Sequence, residues 1–466
     1  MIETGQLVSV RTLRGQLNSM RRYLVELEAH HEGRGSMPVA LSTPEAALAL
    51  EGAHGPIITF TTFSRELNAD EHFRLANHFM GLLSMLPRGG VIVASGGTMG
   101  SREDLNTRGG GVGIVQSAAM SLDFKTLSIT AASGFKYRAA PANYLLFSLG
   151  GFGSESRLMY ELSKALIVIG GGGQAYTEAT EYLLYNPTGL LIVIDDDNAG
   201  SSSNKILHDS RFQALAEKHP NIIIAKTGSE AGIILADRLG IKSKASQVQA
   251  FAEKKLNVLS AYVDYKMLLP GAKIIGFSGW SDFSRAGPDL QENRTAIVSD
   301  IERALHRIHE TLAKAKISLF FATAGNDPHF TDHQIPAFES IVHRLPEDPN
   351  VRYLALTASE MKINELNPRV SGISFVSQKW ADRTQQLVAR VDAFITAGGN
   401  KAVIDQSIQA ANLKRPHIHI MGGNTLTDMR MSKLNNPNLK LLGAKQVMEL
   451  NDEEILRSLG FTNPPK

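Results

Sequence analysis

The residue types best placed to do chemistry are a run of glycines and the carboxylate that follows it. Ala165–Ile169 is an uninterrupted apolar stretch, Gly170 to Gly173 follow, and then come Gln174 and Glu178. An apolar strand, a glycine turn and a helix opening make a cradle for an anion. Glycine lets backbone N–H groups approach closely, and the helix N-terminus adds unpaired donors and a favourable dipole. A carboxylate at the first turn of such a helix can stabilise a cationic transition state or activate water. The plainer role for Glu178 is an acid complementing a helix N-terminus, worth about 0.3–1 kcal/mol. Two further glycine turns belong to the same half of the chain. Gly96, Gly97 and Thr98 follow the apolar run Val91–Ala94, and Gly109-Gly110-Gly111-Val112-Gly113 opens a helical segment. Together these residues predict a phosphate or nucleotide site, with Gly111→Val expected to weaken binding without unfolding the chain.

The pattern occurs twice. Ala393–Ala397, Gly398, Gly399 and Asp405 repeat the strand, turn and carboxylate, and pairing Gly171 with Gly398 gives an offset of 398 − 171 = 227 residues. Neighbouring apolar strands recur at nearly the same spacing, which is too long for a solenoid unit of about 20–50 residues and indicates a duplicated domain. The second copy is the poorer cradle, offering Thr323-Ala324-Gly325-Asn326 where the first has Gly96 and Gly97. Its carboxylate, Asp405, is one methylene shorter. Turnover is therefore expected in the first copy, with a structural, regulatory or partner role for the second.

The elements that must hold these residues read as alternating strands and helices. Continuous apolar runs such as Ile57–Phe60, Leu127–Ala131 and Leu190–Ile194 suit parallel strands buried on both faces, and right-handed crossovers then give a doubly wound α/β sheet. The spans are an N-terminal helical extension over 1–55, Rossmann-like domains over 56–240 and 272–460, and a linker over 241–271 containing a long helix, Val248–Leu268. The Asp195-Asp196-Asp197 run lies at a strand's carboxyl end, where it could face ribose hydroxyls or Mg²⁺ or simply be a solvated loop. His417 and His419 alternate along a strand and read as core residues. The 466 residues contain no cysteine, which excludes thiol catalysis, disulfides and Cys-ligated metal. A net charge of +2 gives no footprint for nucleic acid or an anionic membrane. No P-loop, dinucleotide fingerprint, G-x-S-x-G elbow or H-E-x-x-H pair occurs, which disfavours hydride transfer among other chemistries.

At the Gly170 turn the chain resembles the lonely-guy family, once described as lysine decarboxylases, within the Rossmann-like nucleotide-binding proteins. That family's signature is P-G-G-x-G-T-x-x-E after an apolar strand, with an upstream arginine and an earlier glycine turn. Gly170 stands for the proline, Gly171 and Gly172 for the paired glycines and Glu178 for the glutamate, while Gln174 and Ala175 replace Gly-Thr. Gly109–Gly113 matches the earlier turn. The arginine falls near Glu155, two residues from Arg157. In the second copy, Ala397 to Asp405 occupy the signature and Arg383 the arginine position. The resemblance implies hydrolysis of the N-glycosidic bond of a nucleoside 5′-monophosphate, with Glu178 and Arg157 catalytic and Gly171, Gly172, Gly173 and Gln174 on the phosphate. A non-catalytic nucleotide sensor is the alternative. No metal or cofactor is called for, a cytoplasmic homo-oligomer is expected, and the partner is a nucleotide or phosphorylated nucleoside.

Overall fold

The computed structural model describes residues 10–31, 38–98, 110–136, 139–148, 153–196, 201–241, 248–260, 263–280, 294–323, 337–358, 366–377, 383–399, 401–422, 425–434 and 436–461. It divides into two compact units, Met1–Asn257 with Tyr262–Pro270, and Val258–Ala261 with Gly271–Lys466. The first is built on β1 (Val39–Leu41), β2 (Ile57–Thr61), β3 (Ile92–Gly96), β4 (Lys125–Ala131), β5 (Tyr144–Ser148), β6 (Ala165–Ile169), β7 (Leu190–Ile194) and β8 (Ile222–Ala225). Their order in the sheet is β1-β5-β4-β3-β2-β6-β7-β8, and every neighbouring pair is parallel. All five residues of β2, β6 and β7 are buried, as strands covered by helices on both faces must be.

The second sheet is formed by β9 (Asn257–Leu259), β10 (Lys273–Gly279), β11 (Leu319–Thr323), β12 (Val351–Ala358), β13 (Val370–Ser377), β14 (Ala393–Ala397), β15 (His417–Met421) and β16 (Leu439–Gly443). Its order, β9-β13-β12-β11-β10-β14-β15-β16, is the first order strand for strand. Both sheets are thus doubly wound, with the direction of winding reversing between β2 and β6 and between β10 and β14. In such folds ligands sit at the carboxyl ends of the strands flanking that reversal. No helix among the described residues is long and apolar enough to cross a membrane.

Three findings differ from the sequence reading. The extension over 1–55 holds the expected helix, Val10–His31, but also β1, which joins the edge of the first sheet beside β5. The expected helix Val248–Leu268 is instead a short helix, Val248–Glu253, followed by β9 and a 3-10 turn at Tyr265–Met267. Lys255 takes a left-handed conformation, φ 54°, which stops the helix, and Asn257 is buried where its side-chain oxygen accepts the Ser229 N–H. Third, the offset between the two glycine turns is 398 − 170 = 228, not 227. Gly170 and Gly171 have φ of 64° and 100°, and Gly398 and Gly399 have 54° and 92°. The side chain facing each second glycine agrees, being Ala175 at Gly171 and Val403 at Gly399. Four consecutive glycines in the first unit and two in the second left the sequence register open by one residue, and the left-handed pair closes it.

Candidate functional site

Three loops of the first unit meet at the reversal between β2 and β6. Thr62, just past β2, borders two of them. A Cβ on Gly111 would lie 2.5 Å from Thr62 Oγ1, one on Gly171 would lie 3.6 Å from the Thr62 carbonyl carbon, and one on Gly96 would lie 3.9 Å from Val112. The end of β3, the helix Gly111–Ser121 and the Gly170 turn therefore gather at the carboxyl ends of β2 and β6. Thr62 Oγ1 is buried with no hydrogen-bond partner. The Gly170 turn is braced from behind. Ser202 N–H donates to Gly171 O at 2.8 Å and Ser203 N–H to Gly170 O at 3.1 Å, while the Ser202 hydroxyl donates to Gly172 O. Asp196 is buried and accepts from the Ser201 and Ser203 hydroxyls at 2.7 and 2.8 Å, so it organises this brace rather than facing solvent. Asp195 lies 3.3 Å from Lys255, and Asp197 lies outside the described residues. With the carbonyls of Gly170, Gly171 and Gly172 held, Gly172, Gly173 and Gln174 form an exposed helix opening with open space at both glycines.

Glu178 stands behind this opening, 5% exposed. Its Oε1 accepts from Ser156 Oγ at 2.7 Å and from Gln174 Nε2 at 3.2 Å, and Gln174 Nε2 also donates to Ser156 Oγ at 2.9 Å. Its Oε2 accepts from the Thr61 hydroxyl at the end of β2. Burial pushes the Glu178 carboxyl above the usual range; hydrogen bonds from Thr61, Ser156 and Gln174 oppose that, and the Glu181 charge adds to it. Glu155 is raised too, chiefly by burial and in part by Glu178, although its Oε2 accepts the Gly153 N–H at 2.9 Å. A carboxyl with its pKa raised and tied to three donors is the kind of group that can act as a proton carrier. Sequence reading had missed Thr61, Ser156 and Glu155; the only available signal was a carboxylate standing where an arginine was expected.

The other expected site residues divide. Arg157 is not in the crevice. It is exposed, donates to Glu161 at 2.9 Å and lies over the Tyr185 ring, because one residue along a helix turns the side chain about 100° from buried Ser156. Gly97 serves packing and anchoring: a Cβ there would fall 1.6 Å from Thr130 Oγ1, and its carbonyl accepts the Ala140 N–H at 2.9 Å and the buried Tyr23 hydroxyl. Thr98 bridges to Ala139. Gly109 lies outside the described residues, while Gly110 caps the helix and Gly113 N–H bonds back to Gly110 O at 3.0 Å. Gly111 is wedged against Thr62 and Leu75, with contacts of 2.5 and 2.8 Å for an added Cβ. The expectation that Gly111→Val spares the fold is accordingly revised. Overpacking there should cost about 1–3 kcal/mol, visible as a lowered melting temperature; an unchanged melting curve would contradict this packing.

In the second unit the corrected register puts Gln406, not Asp405, opposite Glu178. Gln406 is 1% exposed and its Oε1 has no hydrogen-bond partner, whereas Asp405 is exposed. Arg383 is buried; its Nε–H donates to Leu356 O at 2.6 Å and its guanidinium lies 3.5 Å from Glu339, and burial draws its pKa down. Of the expected second cradle, Thr323 ends β11 and Ala324 to Asn326 lie outside the described residues. Beneath the Gly399 turn a chain of contacts runs through buried His417, Thr396 and His419 to the partly exposed Asp428. Thr396 Oγ1 lies 2.8 Å from both His417 Nε2 and His419 Nδ1, and His419 Nε2 lies 2.8 Å from Asp428 Oδ1. The carboxylate only accepts, so His419 Nε2 carries a proton, and the buried His417 Nδ1 has no hydrogen-bond partner. Both histidines are core residues, as their alternation along a strand suggested.

No family model matches the chain, and no curated protein matches it in sequence. Solved structures of similar fold do. The molybdenum cofactor carrier protein of Chlamydomonas reinhardtii is 15% identical, covering 40% of this chain and 98% of its own at a TM-score of 0.30. The molybdenum cofactor binding protein of Rippkaea orientalis is 14% identical, with 39% and 96% covered at 0.28. The UDP-GlcNAc 2-epimerase of Methanocaldococcus jannaschii spans 88% of this chain and 93% of its own at 10% identity and 0.23. These likenesses concern the Rossmann-like fold alone.

Proposed function

We propose that the first unit binds a nucleotide at the β2–β6 crevice and hydrolyses its N-glycosidic bond with Glu178 as proton carrier. The observation that carries this reading is Glu178 itself. It is a buried carboxyl held above its ordinary pKa, at the reversal point of a doubly wound sheet and behind the exposed helix opening Gly172–Gln174. A phosphate would be received by the free N–H groups of that opening, fixing the ribose by proximity. The C1′–N bond breaks with its electron pair going to the base, and the proton on Glu178 neutralises the departing nitrogen. Water then gives hydroxide to C1′ and its remaining proton to the carboxylate. The second unit, with the same strand order but an amide at the corresponding position, is proposed as a related copy without turnover.

A second reading, a nucleotide sensor, is favoured by one feature: both oxygens of Glu178 already hold internal donors, and Arg157 faces outward. Incubating the full chain with a panel of nucleoside 5′-monophosphates and measuring free base separates the two. Release of one base at a rate proportional to protein supports hydrolysis, whereas saturable binding without release leaves the sensor.

A further inference from the structure

The hydrogen bonds around Glu178 are unequal at its two oxygens, and this carries a consequence beyond the choice between enzyme and sensor. Oε1 faces Ser156 and Gln174. Gln174 Nε2 donates to both Ser156 Oγ, at 2.9 Å, and Oε1, at 3.2 Å, and an amide nitrogen can only donate. With its oxygen receiving that N–H, the Ser156 hydroxyl directs its own proton at Oε1 over 2.7 Å. Two donors thus converge on Oε1, against one on Oε2. Oε2 faces Thr61, whose hydroxyl can donate or accept simply by rotating.

We propose that Ser156 and Gln174 are positioning residues that hold Oε1 as a permanent acceptor, so that Glu178 takes up and releases its proton only at Oε2, with Thr61 turning from donor to acceptor as it does. The proposal rests on Glu178 being the functional carboxyl of the crevice. On ionisation the Oε2 proton leaves, and the Thr61 hydroxyl swings its own proton toward the new lone pair; on protonation the rotation reverses, with no other bond changed. Three further titratable groups bear on Glu178: Glu181 on its own helix, and Glu155 and Tyr160 on the helix Ser154–Leu162 that carries Ser156. All three are acids, so the hydrogen bonds from Thr61, Ser156 and Gln174 are what favours the ionised form against both burial and these neighbours. The second unit lacks the arrangement, since Gln406 stands at this position with its own Oε1 unpartnered.

The test uses the full chain carrying carboxyl-¹³C glutamate, with the Glu178 resonance identified by its absence in Glu178→Gln. Ser156 donates to the carboxyl in both of its forms but more strongly to the charged one, so Ser156→Ala should raise the titration midpoint by about one pH unit or more. Thr61→Val removes a donor from the ionised form and an acceptor from the protonated form, so its shift should be distinctly smaller. Ser156→Thr, which keeps the hydroxyl, should restore the original midpoint and also serves if the alanine variant folds poorly. A Thr61→Val shift equal to or larger than that of Ser156→Ala, or no shift with Ser156→Ala, would overturn the proposal. If the shifts appear as expected but the chain releases no base from any nucleotide, the positioning stands and hydrolysis falls.

Discussion

Replacing Glu178 with Gln is expected to lower the release of free base by about 10²-fold or more, the usual contribution of a positioned acid or base, while nucleotide affinity changes little. The amide matches the carboxyl in shape, so its oxygen can still accept from Ser156 and its nitrogen can donate to Thr61, and the fold is kept. What it cannot do is surrender a proton. Asp405→Asn, on an exposed helix face of the second unit, should leave the rate within about twofold, since exposed substitutions away from a site are close to neutral. Steady-state rates and binding isotherms on the two variants check both statements. A Glu178→Gln chain that retains full turnover, or an Asp405→Asn chain that loses it, would reverse the assignment of the two units.

Acid should unfold the second unit before the first. Burial draws His417 down to about 3 and His343 down to about 4, so both are neutral when folded, whereas in the unfolded chain each takes its proton near 6.5. Between those values the unfolded state binds more protons, so the stability of this unit falls as pH drops below about 6.5 and goes on falling to pH 3–4. At about 1.4 kcal/mol per pH unit per group, the combined loss amounts to several kcal/mol, a large share of a domain's 5–15. Glu178 acts in the opposite sense. Its folded pKa is raised, so its burial penalty at neutral pH is relieved in acid and it adds no acid loss to the first unit. The chain's two tryptophans, Trp280 and Trp380, both belong to the second unit, so their fluorescence follows it alone while circular dichroism follows both. An early fluorescence transition between pH 6 and 4, with part of the ellipticity retained, is expected, and His417→Leu should flatten that limb. Coincident transitions confined below pH 4 would contradict this account.

The sheets were legible in the sequence because a parallel strand buried on both faces must be an apolar run, and the glycine turns that end such strands stand out for the same reason. β1 and β9 were not, since three residues at a sheet edge leave no periodic signal and are recruited by the strand they pair with. The candidate crevice was legible in its backbone, through Gly110–Gly113 and Gly170–Gly173, and in Glu178. Its side-chain shell was not. Arg157 drew attention because an arginine was expected near it, yet helix phase turns it to solvent and turns Ser156 inward. Likewise the pairing of Asp405 with Glu178 depended on a one-residue register that only backbone conformation decides.

The most direct test of the whole account is a crystal structure of the full chain grown with adenosine 5′-monophosphate and the Glu178→Gln substitution to prevent turnover. The account predicts one nucleotide in the first unit, its phosphate on the N–H groups of Gly172 to Gln174 and its glycosidic nitrogen within hydrogen-bond reach of residue 178. A nucleotide seated in the second unit, or in the first unit away from the β2–β6 crevice, would contradict it.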